Sequence, residues 1–393
     1  VDPALNRRFP SIHEMERAAA RRVPAFVHDY VVGGIGRGQG LRRNRAALDA
    51  VSLMPRYLAA SVDLPDPSTT LFGETYSAAY GVAPVGNGGS VWPDCADHLA
   101  AEARARGQPF CVSTVAVGSL EHLRGQAGAL GWFQLYRPNV AEIEEDVLRR
   151  AKAAGYRVLM VTVDVPGPLR RDHDLKNNFG ADFSLLDPSA LWAMTKTPRW
   201  TLAMAPRGFP RFETLLPYTD AKASMPDRVR EMLGLITGHV TVPALERLRG
   251  LWDGPLLAKG ILDPQEALIC KEIGLDGIVL SNHGGRQLEA APSAAETLPE
   301  TRALCGPDFP ILADGGVRTG LDICRMLALG ADMVLLGRAF YLGMGALGHL
   351  GRAGASHVFD VLTAEMVGTM RQLGAATVPE LRDLVIRESS GTP

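Results

Sequence analysis

The sequence predicts a (β/α)8 TIM barrel, and three observations carry that expectation. From Ala79 onward short apolar runs alternate with longer amphipathic ones, and eight of the apolar runs each lead to a helical pattern. Polar residues gather at the C-terminal end of nearly every run, where such barrels place their active sites. No G-x-G-x-x-G follows the first run, which argues against the competing doubly wound open sheet.

Taken in order, Ser11-Ile12-His13-Glu14 has capping-box spacing and opens a helix toward Val23-Pro24. A second helical stretch, 25–32, ends at Gly33-Gly34, completing a short helical N-terminal extension. The expected strands are 80–84, 110–113, 131–136, 157–164, 255–260, 277–282, 310–315 and 333–337. Helical patterns such as 141–154, 264–273 and 320–329 lie between them. The interval from about 180 to 250 breaks the rhythm. It has no legible strand and carries Trp192, Trp200, Phe209, Phe212, Met194 and Met204 among prolines and basic residues. It reads as an insertion between the fourth and fifth strands of one domain, 1–393, and as an active-site lid. The alternative is a segment resting on a membrane. Intermixed charges and a poor amphipathic period favour the lid.

Bulk properties narrow the function. A net charge of −2 and a pI near 6.5 give no attraction to nucleic acid. Cys95, Cys111, Cys270, Cys305 and Cys324 are odd in number, scattered and without a C-x-x-C pair, so neither a disulfide framework nor a metal site is expected. The N-terminus lacks the apolar core of a signal peptide, and no apolar run is long enough to span a bilayer. A cytoplasmic enzyme is the expectation.

The most informative stretch is Ser281-Asn282-His283-Gly284-Gly285-Arg286-Gln287, which follows the apolar run Gly277-Ile278-Val279-Leu280. A strand end there delivers an imidazole, which takes a proton near neutral pH, and a guanidinium, which grips a carboxylate with two hydrogen bonds. The pair suits proton removal from a small carboxylic acid. An isolated His-x-x-Arg is more often an ordinary turn with a solvated Arg; the neighbouring strand ends overturn that reading. They contribute Pro84-Val85-Gly86, Ser113, Gln134 and Tyr136, Thr162 and Asp164, Lys259, Asp314 and Gly337-Arg338. Hydrogen-bonding groups around one rim are what a flat, heteroatom-rich cofactor needs. Asp314-Gly315-Gly316-Val317-Arg318 and Gly337-Arg338 together read as a phosphate site, with glycines opening the backbone and arginines adding charge. A tight turn would explain either glycine cluster alone but not both with an Arg at each. Lys259 ends an apolar strand and must find an anion, either as a Schiff-base lysine or by holding negative charge on the cofactor. Asp164 beside an imidazole would stabilise the imidazolium. Tyr136 alone would be packing.

These motifs resemble the FMN-dependent 2-hydroxy acid oxidases and dehydrogenases, which include glycolate oxidase, flavin-type lactate dehydrogenase and mandelate dehydrogenase. The likeness runs from about Ser11 to beyond Leu373, and the family signature S-N-H-G-[AG]-R-Q is intact at 281–287. The resemblance implies a barrel that binds FMN and oxidises an (S)-2-hydroxy acid, lactate- or mandelate-like, passing electrons to quinone, another carrier or O2. It implies His283 as the base, with Asp164 stabilising its protonated form. Arg286, Tyr30 and Arg171 would hold the substrate carboxylate, and Tyr136 the hydroxyl oxygen. Lys259 would face the flavin N1/O2 edge, with Ser113, Gln134, Thr162 and Ser281 on the isoalloxazine and Asp314 on the ribityl chain. Gly316, Arg318, Gly337 and Arg338 would hold the phosphate. Pro84, Val85 and Gly86 would also face the cofactor, although Val85 has no hydroxyl to offer where many members carry Thr. Gly86 resembles the dehydrogenases, and Val115 replaces a large aromatic of glycolate oxidase, leaving room for a substrate side chain. The resemblance also implies a homotetramer. A barrel isomerase or nucleotide dehydrogenase would share the phosphate site without needing His283 and Arg286 with Tyr30, Tyr136 and Arg171. A non-catalytic flavin-binding scaffold would need neither His283 nor Arg286.

Overall fold

The computed structural model describes residues 2–58, 64–167, 169–177, 187–208 and 211–386. An antiparallel hairpin, β1 (Thr69–Leu71) and β2 (Glu74–Tyr76), comes first. Its two-residue turn places Phe72 at φ 53° and Gly73 at φ 76°, the left-handed pair that matches strand twist. Eight parallel strands follow and close on themselves in chain order: β3 (Tyr80–Val82), β4 (Phe110–Ser113), β5 (Gly131–Leu135), β6 (Leu159–Thr162), β7 (Leu256–Ile261), β8 (Gly277–Leu280), β9 (Ile311–Asp314) and β10 (Met333–Leu336). β10 pairs with β3 through Leu335 and Gly81, which seals the barrel.

Side chains alternate across each strand, so every second residue points inward. Trp132, Met160, Leu257, Val279 and Leu312 fill the interior with Leu71 and Tyr76 of the hairpin beneath them. Two residues further along the same faces come Gln134, Thr162, Lys259, Ser281 and Asp314. The upper layer is therefore polar by register: Ser113 pairs with Gln134, and Thr162 with Lys259. The opposite faces, such as Val112, Phe133, Val161, Ala258, Ile278 and Ala313, pack against the surrounding helices.

The predicted strand 110–113 and the helices 141–154 and 320–329 agree with the structure, and the helix predicted over 264–273 ends at Glu272. Most other strands are one to four residues shorter than predicted, because Tyr136, Asp164, Asn282 and their neighbours leave the ladder to form the rim. The N-terminal helices Ile12–Arg22 and Ala25–Val32 are present as read. Only half of the capping box forms: Ser11 Oγ accepts from Glu14 N at 3.3 Å.

The insertion is helical. Pro188–Lys196 and Pro198–Met204 dock on the N-terminal helices, where Trp200 meets Phe26 edge-on and donates to Ser90 O at 3.0 Å. Met225–Leu235 follows, and Val242–Leu251 is the helix that directly precedes β7, with Leu245 and Leu248 in the core. Residues 180–186 and Phe209 of the predicted insertion lie outside the described residues. Among the described residues no helix is long and apolar enough to cross a membrane.

Candidate active site

The rim begins with a chain of hydrogen bonds between neighbouring strand ends. Ser113 Oγ donates to Gln134 Oε1 at 2.7 Å, and Gln134 Nε2 donates to Thr162 Oγ1 at 2.8 Å. On the next strands round, buried Lys259 donates to Ser281 Oγ at 3.0 Å and pairs with Asp314 at 2.9 Å, while Ser281 Oγ donates to Asp314. Burial lowers the Lys259 pKa, but Asp314 and Asp164 outweigh it and hold the ammonium above its usual range.

The loop after β8 turns sharply. His283, Gly284 and Gly285 have φ of 57°, 63° and 75°, a left-handed run that costs most at the histidine. What over-determines it is local bonding: His283 N donates to Ser281 Oγ at 2.9 Å, and Gly285 N to Asn282 Oδ1 at 3.0 Å. The Asn282 amide pairs reciprocally with Asn44 at 2.7 and 2.8 Å. The loop thus presents the imidazole edge-on. Its Nδ1 lies 3.1 and 3.2 Å from the two Asp164 oxygens, and Tyr136 Oη lies 3.2 Å from Nε2. Burial would raise the Asp164 pKa, but the charge and hydrogen bond of His283 and the charge of Lys259 bring it below the usual carboxylate value. Gly260, at φ 106°, leaves the space that the Asp164 carboxylate fills. Burial and the nearby Asp164 push Tyr136 up to about 12, so its hydroxyl stays a neutral donor.

Arg286 lies across the same cleft, its guanidinium 5.0 Å from the Tyr30 ring centroid. Nη1 donates to Tyr30 O at 2.7 Å and Gly33 O at 2.8 Å; among the described residues Nε and Nη2 have no recorded partner. Arg171 stands beside it, 3.6 Å from Asp174. Burial and then Arg171 lower the Arg286 pKa, the mark of a site short of negative charge.

At the other end of the cleft, Gly315 and Gly316 have φ of 107° and 81°, and a Cβ on Gly316 would come within 2.9 Å of Asn44 O. The helix Arg338–Leu347 points its first turn at this end, with Gly337 as N-cap. Arg318 pairs with Glu16 and donates to Val317 O at 3.0 Å. Arg338 differs from the sequence reading: its guanidinium donates to the carbonyls of Val31, Gly284 and Gly33 at 2.7–2.9 Å. It ties three loops together, and the backbone N–H at the helix start is what it leaves for an anion. Sequence reasoning missed Asn44, and also Arg45, which grips Asp322 with two bonds of 2.7 Å behind the phosphate loop. Both lie on the helix Gln39–Asp49, far from the motifs in sequence and without a local signal.

The cleft is open to solvent and lined by Tyr30, Pro84, Val85, Gly86, Tyr136, Arg171 and the rim residues Gln134, Thr162, Lys259 and Asp314. Asp164, Ser113 and Ser281 stand behind it, bonded to lining residues. The family model of the FMN-dependent dehydrogenases matches residues 19–388. The chain belongs to that family. It is 39% identical to the L-lactate dehydrogenase of Ectopseudomonas mendocina over 94% of this chain and 97% of the relative. It is 36% identical to the L-lactate dehydrogenase of Caulobacter vibrioides over 96% and 97%. Among solved structures, the monotopic membrane protein (S)-mandelate dehydrogenase superposes with a TM-score of 0.90 at 32% identity, covering 96% of this chain and 99% of that one.

FMN is therefore the cofactor of this dehydrogenase, and the donor set fits it. The cleft joins a polar rim to a glycine cradle that a single Cβ at Gly316 would crowd, and to arginines whose charges are not fully matched. If Arg318 meets the phosphate, Arg318→Ala should lower FMN retention by about tenfold or more, because a charge-assisted contact is lost. Equilibrium dialysis of the apoprotein with FMN measures it; unchanged affinity would place the phosphate elsewhere.

Proposed function

We propose that the protein oxidises an (S)-2-hydroxy acid, lactate first and mandelate-like acids second, at the cleft between His283 and Arg286. The observation that carries this reading is that an imidazole and a guanidinium face one cleft. His283 is anchored by Asp164 through Nδ1 with Nε2 turned into the cleft, and Arg286 offers Nε and Nη2 to the same space. Arg286, with Arg171 and Tyr30, binds the carboxylate, which relieves the repulsion between the two guanidiniums. Tyr136 donates to the substrate hydroxyl oxygen, and His283 Nε2 takes up the proton released on oxidation. Asp164 holds the Nδ1 proton and balances the imidazolium. When bound, FMN accepts the two electrons and passes them on. Lys259 would hold negative charge at the flavin edge, with Ser113, Gln134, Thr162 and Ser281 serving the ring system. Asp314 would serve the ribityl chain, and Gly316, Arg318 and the N–H groups of Gly337 and Arg338 would hold the phosphate.

The acceptor we infer is a membrane quinone, reached by peripheral contact from the cytoplasmic side. On the described part of the insertion Trp192 is 64% and Leu202 74% exposed, and Lys196 sits 4.7 Å from the Trp192 ring centroid. A homotetramer, each chain one FMN-binding domain, completes the reading. Anaerobic addition of L-lactate should bleach the yellow protein, and reoxidation should be faster with a quinone than with O2. A flavin that no 2-hydroxy acid bleaches would overturn the assignment, and failure to sediment with lipid vesicles would return residues 180–250 to the role of a lid.

A further inference from the structure

The second half of the insertion makes a small apolar core of its own. Phe212, Leu215, Val229 and Met232 are buried together, and Val115 packs against them. Val115 also lines the cleft that holds His283 and Arg286. Beside it on the cleft wall stands Gly86, so close that a Cβ there would lie 2.5 Å from Val115 Cγ2. Val115 is thus a partition one residue thick, with the open cleft in front and the cluster behind.

The same segment is fastened to the two loops that carry the cleft-lining Val115 and Tyr136. Beyond Val115, Ser119 N donates to Glu213 at 3.2 Å and Leu120 N to Thr214 Oγ1 at 3.0 Å. Beyond Tyr136, Asn139 N donates to Leu235 O at 2.8 Å, and Arg137 O accepts from Gly238 N at 3.1 Å.

We propose that the 211–236 module sets the size of side chain the 2-hydroxy acid can carry, by holding Val115 forward over the pocket. Leu215 and Met232 are positioning residues that act through Val115. The inference rests on substrate lying between Arg286 and His283. Close-packed interiors relax into space opened behind them. Of the residues packed on this cluster, Val115 is the one that also lines the cleft, and each methylene-sized gain of pocket shifts selectivity by about tenfold or more.

The test is the ratio of kcat/KM for mandelate to that for L-lactate, with Kd values for phenylglyoxylate and pyruvate from flavin absorbance titrations. Met232→Ala should raise the mandelate preference about tenfold in both readouts at unchanged FMN content. Leu215→Val provides a milder truncation should that variant not fold. Met232→Leu, which nearly conserves volume, should keep the parent ratio. Val115→Ala should reproduce the shift, and Met232→Ala should add nothing in that background, because both act at one place. An unchanged ratio in the two truncations, or additive shifts in the double variant, overturns the proposal. Absence of flavin reduction by any 2-hydroxy acid in the parent protein would instead overturn the reading beneath it.

Discussion

His283→Gln should slow anaerobic flavin reduction by about 10²- to 10⁴-fold, the range lost with a positioned general base, while substrate still binds. Glutamine keeps a polar amide near the same place but cannot take up a proton. No neighbour can replace the imidazole. Tyr136, 3.2 Å away, is pushed up to about 12 and stays protonated. Asp164 is ionised at neutral pH, its pKa lowered by His283 and Lys259 against the effect of burial, but it lies behind the ring and not in the cleft wall. Whether the α-hydrogen leaves as a proton or a hydride, the base must accept a proton, from carbon or from the hydroxyl. Asp164→Asn should therefore also slow reduction without weakening binding, since the imidazolium loses its counter-charge. Stopped-flow absorbance on both variants decides the matter, and a His283 variant that reduces its flavin at the parent rate would refute the role.

Much of this was legible in the sequence because a barrel strand is short and alternates. Trp132 and Gln134, or Leu257 and Lys259, announce an inward face that turns from apolar to polar at the strand end. The candidate catalytic residues lie within a few positions of those ends, so local pattern was enough to put His283, Asp164 and Tyr136 on one rim, although Tyr136 alone read as packing and its role came from the family resemblance. The hairpin β1–β2 was missed although its signal is local: alternation across 69–76 around a two-residue turn ending in Gly73. What sequence could not supply is long-range. Nothing in the helix Gln39–Asp49 says that Asn44 will pair with Asn282, and nothing in Gly337-Arg338 says that the guanidinium will turn back to Val31, Gly33 and Gly284. Arginine beside a glycine loop reads as an anion ligand from sequence; here geometry makes it a clamp. The insertion itself was legible as a break in the rhythm, but its helices were not, since they are fixed by contacts such as Trp200 on Phe26 across the fold.

Arg286→Met should raise the substrate Kd by about 10²- to 10³-fold, the loss of a two-pronged charge-assisted contact, without a comparable loss of stability. Methionine keeps the apolar packing on the Tyr30 ring while removing both the free nitrogens and the charge. The charge is unfavourable in the ligand-free protein: burial and Arg171 both lower the Arg286 pKa, and Asp174 answers only part of that repulsion. Its removal should offset the two lost hydrogen bonds to Tyr30 O and Gly33 O, so the melting temperature should stay near the parent value or rise. Arg286→Lys separates charge from shape. It keeps the cation but not the planar fork, so binding should fall between parent and methionine variant. Thermal melts of the FMN-loaded proteins, with and without a saturating 2-oxo acid, measure both quantities at once. The parent should be stabilised by the ligand and the methionine variant barely so. A large drop in the ligand-free melting temperature, with ligand stabilisation preserved, would make Arg286 a structural strut of the Tyr30 loop and leave Arg171 as the carboxylate anchor.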